Sequence, residues 1–309
     1  MTSLNGRLLC AAGCAYGIDP QSGAYSGDKV YHPVAAFTNS PQVFRSSQIN
    51  AGYVGRTGDG IVVAFRGTIA PIPLSALGLR DWLEDFFQQP HSSRADELKL
   101  PGAVHSGFYN AVTSIIRPVA EAVKALDPTL QTPVYITGHS KGGAMASIGA
   151  YMLQTSFGIP VREVVTFASP RVGDSNFKTA YEAVLKQTRF ENYGDIVPLV
   201  PPSHTPVDLL LCILNKIPRV GAEIAGWFKD AQQWDYRSPG TLQFIDSSAA
   251  RYRIYSDESL ESQVLAVLEQ TGRDLLAHRF TSIADAHSLS CGYGYMHGVC
   301  PAGVCDQNV

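Results

Sequence analysis

Charge is the scarcest commodity in this chain. Its 24 Lys and Arg and 27 Asp and Glu make 17% of 309 residues, where an ordinary soluble protein carries about 25%. The balance of −3 excludes the clustered basic excess by which nucleic-acid binders neutralise phosphates. Disorder is excluded as well, because a 45% hydrophobic content is ample for a core. No uninterrupted apolar run approaches the roughly 18 residues of a membrane helix; the nearest, Val207 to Ile217, is broken by Asn215 and Lys216. An integral membrane segment is therefore not expected. Six cysteines over 309 residues are too sparse for a disulfide scaffold. Three of them, Cys291, Cys300 and Cys305, fall in one Gly-rich tail, and their spacing with His297 matches no usual zinc pattern, so free thiols or one local disulfide are expected there.

The N-terminus has the order of a signal peptide, Arg7 before LLCAAGCA. Its apolar part is short for that purpose, about eight residues, and Leu8, Leu9, Ala12 and Ala15 suit the apolar face of a short amphipathic helix. The helix reading leads to the expectation of a cytoplasmic or non-classically secreted protein, with secretion left open.

No repeat or linker marks a domain boundary, so residues 1–309 are expected to form one domain, with a helical insertion at about 205–234. INAGYVG and GIVVAFRG, separated by the turn signal RTGD, read as an antiparallel hairpin. Strands and helices then alternate. Ser106 to Leu126 reads as one long amphipathic helix, Pro133 to Gly138 as a buried strand, and Lys141 to Gln154 as a helix. Arg162 to Ser169 reads as a strand, Ser175 to Gln187 as a helix, and Thr188 to Gly194 as a strand. Thr241 to Asp246 and Arg251 to Tyr255 suggest a final hairpin, followed by a helix from Glu258 to His278. Such alternation implies an α/β fold: a mostly parallel central sheet covered by helices on both faces.

GHSKG, Gly138 to Gly142, fits G-x-S-x-G at the end of a strand and the start of a small-residue helix. There a sharp turn lifts a serine hydroxyl above the sheet, and glycines are needed because the helix folds back on the strand. Ser140 is therefore the candidate nucleophile. His139 points away at such a turn and reads as a packed, sheet-facing histidine. A serine nucleophile needs a base, and the base an orienting acid, in the chain order Ser, Asp/Glu, His. Asp195, ending a strand before a proline-rich exit, is the candidate acid; Asp174 is the runner-up, with a helix N-cap as its alternative role. Among downstream histidines, His204 lies too close to Asp195 and His278 sits within a helix. His287, in a loop, is favoured over His297 as the base.

VVAFRGT, DWLEDF, VHSGF, GHSKGGAMA, VVTFASPRVGD and NYGDIVPLVPP together resemble, in order and spacing, the fungal-type class 3 lipases of the α/β-hydrolase fold. The resemblance implies Ser140, Asp195 and His287 as the triad. It also implies Thr68 and the backbone N–H of Lys141 as oxyanion-hole donors, and an apolar lid at about 69–80. It implies long-chain acyl ester hydrolysis, most simply of acylglycerols met at a transient lipid–water interface, with no metal or cofactor. Phospholipase or soluble feruloyl-type esterase activity is the alternative, and a catalytically inactive partner-binding protein is the alternative from another class. The chain departs from the family's pattern where Lys141 replaces the usual leucine, in the long gap from Asp195 to His287, and in the stretch Thr205 to Trp234.

Overall fold

The computed structural model describes the chain except at residues 1–2, 28, 47–49, 69–81, 83, 87–89, 92–97, 99, 202–221, 223–224, 228, 230–233, 247–252, 257–259, 278, 300–304 and 306–309. The lid stretch, most of the insertion, His204, His278, Cys212 and Cys300 lie outside the described residues.

An eight-stranded sheet has the order β1-β2-β3-β6-β7-β8-β9-β10. Its strands are β1 (Gln42–Ser46), β2 (Asn50–Thr57), β3 (Gly60–Phe65), β6 (Val134–His139), β7 (Val161–Phe167), β8 (Gln187–Asn192), β9 (Thr241–Asp246) and β10 (Arg253–Ser256). A short antiparallel pair, β4 (Pro90–His91) with β5 (Val104–His105), stands apart. From β3 to β9 every pairing is parallel. The edges β1-β2-β3 and β9-β10 are antiparallel. The expected hairpins and mostly parallel sheet are present; β1 was not anticipated.

The strand period of two divides the core between the faces. Ile61, Val63 and Phe65 of β3 join Ile136 and the helices Ser106–Thr113, Ile116–Leu126 and Lys141–Thr155 on one side. Val62 and Ala64 join Leu8, Leu9, Val165, Phe167 and Phe190 on the other. LLCAAGCA belongs to the helix Leu4–Cys14, whose residues from Leu8 through Cys14 are all buried. This segment is thus a core helix of the fold.

Residues 106–126 form two helices, Ser106–Thr113 and Ile116–Leu126, rather than the single helix expected. Two causes act at the break. The hydroxyls of Thr113 and Ser114 donate back to the carbonyls of Tyr109 and Ala111, at 2.9 and 2.7 Å, an alternative to continued helix. Pro118 cannot donate to the preceding turn. The helix expected to reach Gln187 ends at Glu182, because Gln187 is already paired with Val164 as the first residue of β8.

Candidate active site

The turn between β6 and the Lys141–Thr155 helix holds Ser140 at φ 59°, ψ −136°, a region L-residues occupy only when surroundings force it. The surroundings are close packing. A Cβ on Gly138 would stand 2.1 Å from the Gly142 carbonyl oxygen, and one on Gly142 would stand 2.2 Å from that of Phe65. The two glycines of the motif are thus where helix meets strand. Gly142→Ala is expected to cost about 3 kcal/mol or more of stability, since backbone rather than a movable side chain blocks the methyl. Chemical denaturation measures it, and a loss under about 1 kcal/mol would contradict this packing argument.

The Ser140 hydroxyl is buried and has no hydrogen-bond partner among the described residues, and the same holds for the hydroxyl of Thr68. The two lie on adjacent segments: a Cβ on Gly67 would come within 3.0 Å of Ser140 Cβ. Lys141 opens the helix, so its backbone N–H belongs to the first turn, where no intrahelical acceptor exists.

Asp195, 1% exposed, follows β8. Its carboxylate accepts from three directions: Val197 N–H at 3.0 Å, Tyr295 OH at 2.6 Å, and His287 Nδ1 at 3.0 and 3.1 Å from its two oxygens. A carboxylate can only accept here, so Nδ1 carries the proton and Nε2 of His287 is left as the basic nitrogen. His287 closes the helix Phe280–His287 instead of lying in a loop. His297 stands elsewhere, exposed, with Nδ1 2.5 Å from the Cys291 carbonyl oxygen. Asp174 is the N-cap of Ser175–Glu182, accepting from Phe177 N–H at 2.8 Å. The structure therefore brings His287 to Asp195, and keeps His297 and Asp174 out of that pair.

His139 is buried behind this pair. Its Nε2 lies 2.7 Å from the His287 carbonyl oxygen and its Nδ1 2.7 Å from Tyr16 OH. Because a carbonyl can only accept, Nε2 donates and Nδ1 accepts from Tyr16. Burial first, then the neighbouring His287, holds the pKa of His139 well below the ordinary histidine range, so it stays neutral and keeps this tautomer. Burial likewise pushes the Tyr16 and Tyr295 hydroxyls up, leaving both as donors. Asn192 Nδ2 donates to the carbonyls of Ala286 and Tyr293 at 2.9 and 2.8 Å, tying β8 to the segments on either side of His287. Trp82, 3% exposed, packs edge-on against the His287 ring at 4.9 Å between centroids. The tail is held by a Cys291–Cys305 disulfide, while Cys10 and Cys14 are buried in the Leu4–Cys14 helix, Cys10 Sγ 3.9 Å from Met296 Sδ.

Sequence patterns did not single out Tyr16, Asn192, Tyr295 or Trp82. Asn192 and Trp82 lie inside NYGDIVPLVPP and DWLEDF, where the resemblance offered a signal. Tyr16 and Tyr295 reach their partners from 123 and 100 residues away, and nothing local marks them. Among the described residues no group of three or more His, Cys, Asp or Glu side chains is placed to hold a metal ion. No helix among them is long and apolar enough to cross a membrane.

Residues 62–205 match the class 3 lipase family. A secreted mono- and diacylglycerol lipase of Fusarium solani is 33% identical over 175 residues, 53% of this chain and 50% of that protein. A chloroplastic phospholipase A1 of Arabidopsis thaliana is 31% identical over 150 residues, covering 46% of this chain and 33% of the relative. The chain thus spans half or less of these curated relatives. A Rhizomucor miehei lipase, solved in its propeptide complex as a deletion mutant, superposes with a TM-score of 0.61 at 19% identity. That match covers 96% of this chain and 77% of the other. The lean toward a cytoplasmic protein is overturned by the first of these relatives, which is secreted; it rested on reading LLCAAGCA as a helix, and a helix identifies no compartment.

Proposed function

Because the chain belongs to the class 3 lipase family and has its α/β-hydrolase fold, we propose that it is a serine carboxylic ester hydrolase cleaving long-chain acyl esters, acylglycerols first among them. The observation that carries the reading is the pairing of His287 Nδ1 with the buried Asp195 carboxylate across 92 residues of chain. This pairing leaves Nε2 as the basic nitrogen, and the His287 ring lies 4.8 Å between centroids from that of His139, the residue that precedes Ser140 in its strained turn.

In the proposed cycle Ser140 Oγ attacks the ester carbonyl as His287 Nε2 takes its proton. Asp195, held by Tyr295 and Val197, steadies the imidazolium that results. The tetrahedral oxyanion is received by Thr68 and by the backbone N–H of Lys141; each such donor accounts for about 2.7–4 kcal/mol of transition-state stabilisation. His287 returns the proton to the leaving alcohol, and water repeats the sequence on the acyl-Ser140. The hydroxyls of Ser140 and Thr68, without a partner among the described residues, support this assignment, since a buried polar group costs stability unless something, such as a ligand, pairs with it.

The resemblance to the class 3 lipases and the apolar sequence of residues 69–80 beside Thr68 support reading that stretch as a lid. Exposing several large apolar side chains to lipid at roughly 1.5–3 kcal/mol each would favour opening at an interface. Residues 1–309 are taken as one domain. Phospholipase activity is the second reading, favoured by the phospholipase A1 among the relatives.

Two measurements test the proposal together. A fluorophosphonate probe is expected to label the protein at Ser140, as read by peptide mass spectrometry. Hydrolysis of p-nitrophenyl esters is expected to rise with chain length and again when substrate passes its solubility limit. Rates that peak at acetate with no interfacial rise would make the enzyme a soluble esterase, and no labelling at all would make the fold a non-catalytic scaffold.

A further inference from the structure

The side chain of Lys141 has no part in the chemistry above, which uses only its backbone N–H. Its position is nevertheless an unfavourable one for a lysine. It opens a helix, where the dipole opposes a cation, and burial lowers its pKa below the ordinary lysine value. Neither effect serves stability.

The ammonium has a specific destination. Nζ donates to Asn50 Oδ1 at 2.8 Å. Asn50 opens β2, and in the sheet β3 lies between β2 and β6, the strand from which Ser140 and Lys141 emerge. To reach Asn50 the side chain must cross the carboxyl end of β3. That strand end continues through Arg66 and Gly67 to Thr68, with Gly67 against Ser140 Cβ and the Phe65 carbonyl against Gly142. Lys141 thus spans the two segments that would supply the oxyanion donors: its own helix N-terminus and the segment carrying Thr68.

We infer that the Lys141 ammonium is a positioning residue, a strap anchored on Asn50 that sets the spacing between the Thr68 and Lys141 donors and keeps a positive charge beside the oxyanion they receive. The inference rests on the ester hydrolase reading. The charged and titratable groups facing the ammonium are Asp85 from the Trp82–Phe86 segment, Arg66 from the end of β3 and His105 from β5. His105 is pushed down to about 3 by burial, and so is neutral throughout an alkaline titration. Burial raises the Asp85 carboxyl above its ordinary value, against the pull of Lys141, and Asp85 too is unchanged in Lys141→Met. Burial lowers Arg66 as it lowers Lys141, but from the higher arginine value, and Arg66 is unchanged in Lys141→Met. An alkaline loss of strap charge is therefore assigned to Lys141: it is charged and active below its pKa and loses the charge as pH rises through it.

The test compares Lys141→Met, Lys141→Arg and Asn50→Ala with the full chain on a soluble p-nitrophenyl ester. Lys141→Met keeps the backbone donor and the apolar stem. Its kcat is expected to fall about tenfold, a fraction of the effect of losing a donor outright, with KM changed less than about twofold. The wild-type kcat is expected to decline at alkaline pH, and this decline should be absent from Lys141→Met. Lys141→Arg, still charged and long enough to reach Asn50, should recover most of the rate. Asn50→Ala should lower kcat in the same direction and carries the test should Lys141→Met not fold. Wild-type kcat in both Lys141→Met and Asn50→Ala, or an alkaline limb that persists in Lys141→Met, overturns the strap alone. Undiminished hydrolysis by Ser140→Ala instead overturns the parent reading.

Discussion

Ser140→Ala is expected to lower kcat on a long-chain p-nitrophenyl ester by about 10⁵- to 10⁶-fold, the loss seen when a serine hydrolase is stripped of its nucleophile. A residual rate above the uncatalysed one should remain, because the oxyanion donors and the binding site are untouched. The substitution separates chemistry from folding cleanly. Ser140 sits at φ 59°, ψ −136°, where alanine is neither better nor worse than serine, both having a Cβ. Its hydroxyl has no hydrogen-bond partner among the described residues, so its removal orphans no donor or acceptor. The thermal midpoint is accordingly expected to stay within about 2 °C of wild type, the shift that corresponds to under 1 kcal/mol for a chain of this size. Retention of more than a tenth of the wild-type rate by a folded variant would remove Ser140 from the mechanism.

Asp195→Asn is expected to cost about 10⁴-fold in kcat with little change in KM. Val197 N–H can only donate, so the amide oxygen must remain on its side, where Asp195 Oδ1 now accepts at 3.0 Å. The amide nitrogen then faces Tyr295 OH, which now donates to Oδ2 at 2.6 Å and must turn to accept. His287 Nδ1, which lies 3.0 to 3.1 Å from both oxygens, is left between a weaker acceptor and a competing donor. The negative charge that would stabilise the imidazolium is gone. The fold, by contrast, should tolerate the change, because a buried charge costs desolvation that the amide avoids. Slow fluorophosphonate labelling of Asp195→Asn beside none of Ser140→Ala would distinguish an orienting acid from a nucleophile. A variant within tenfold of wild type would mean that Asp195 does no more than cap the turn at Val197.

How far the site was legible in the sequence depended on distance along the chain. The turn at Ser140 was legible because all its requirements are local: a buried strand, two glycines where backbones meet, and a helix of small residues. The central strands were legible because burial on both faces leaves continuous apolar runs such as GIVVAF. The break in residues 106–126 was harder to see, since hydrophobic periodicity continues through it while hydroxyl back-bonding and Pro118 interrupt the backbone. The tail showed only cysteine spacings, which cannot choose among pairings; the chain's folding brings Cys305 to Cys291.

The scarcity of charge, the alternation of strand and helix, and the Ser, Asp, His order were determined by the sequence alone, because each is a property of neighbouring residues or of their order. Only the tertiary structure decided which histidine meets Asp195, and made His139 a neutral link between Tyr16 and the His287 carbonyl rather than a base. It also carried the Lys141 side chain across β3 to Asn50. The physical reason is common to all three: a hydrogen bond needs atoms within about 3 Å, and residues 91 to 148 positions apart reach that distance only through the packing of the whole sheet.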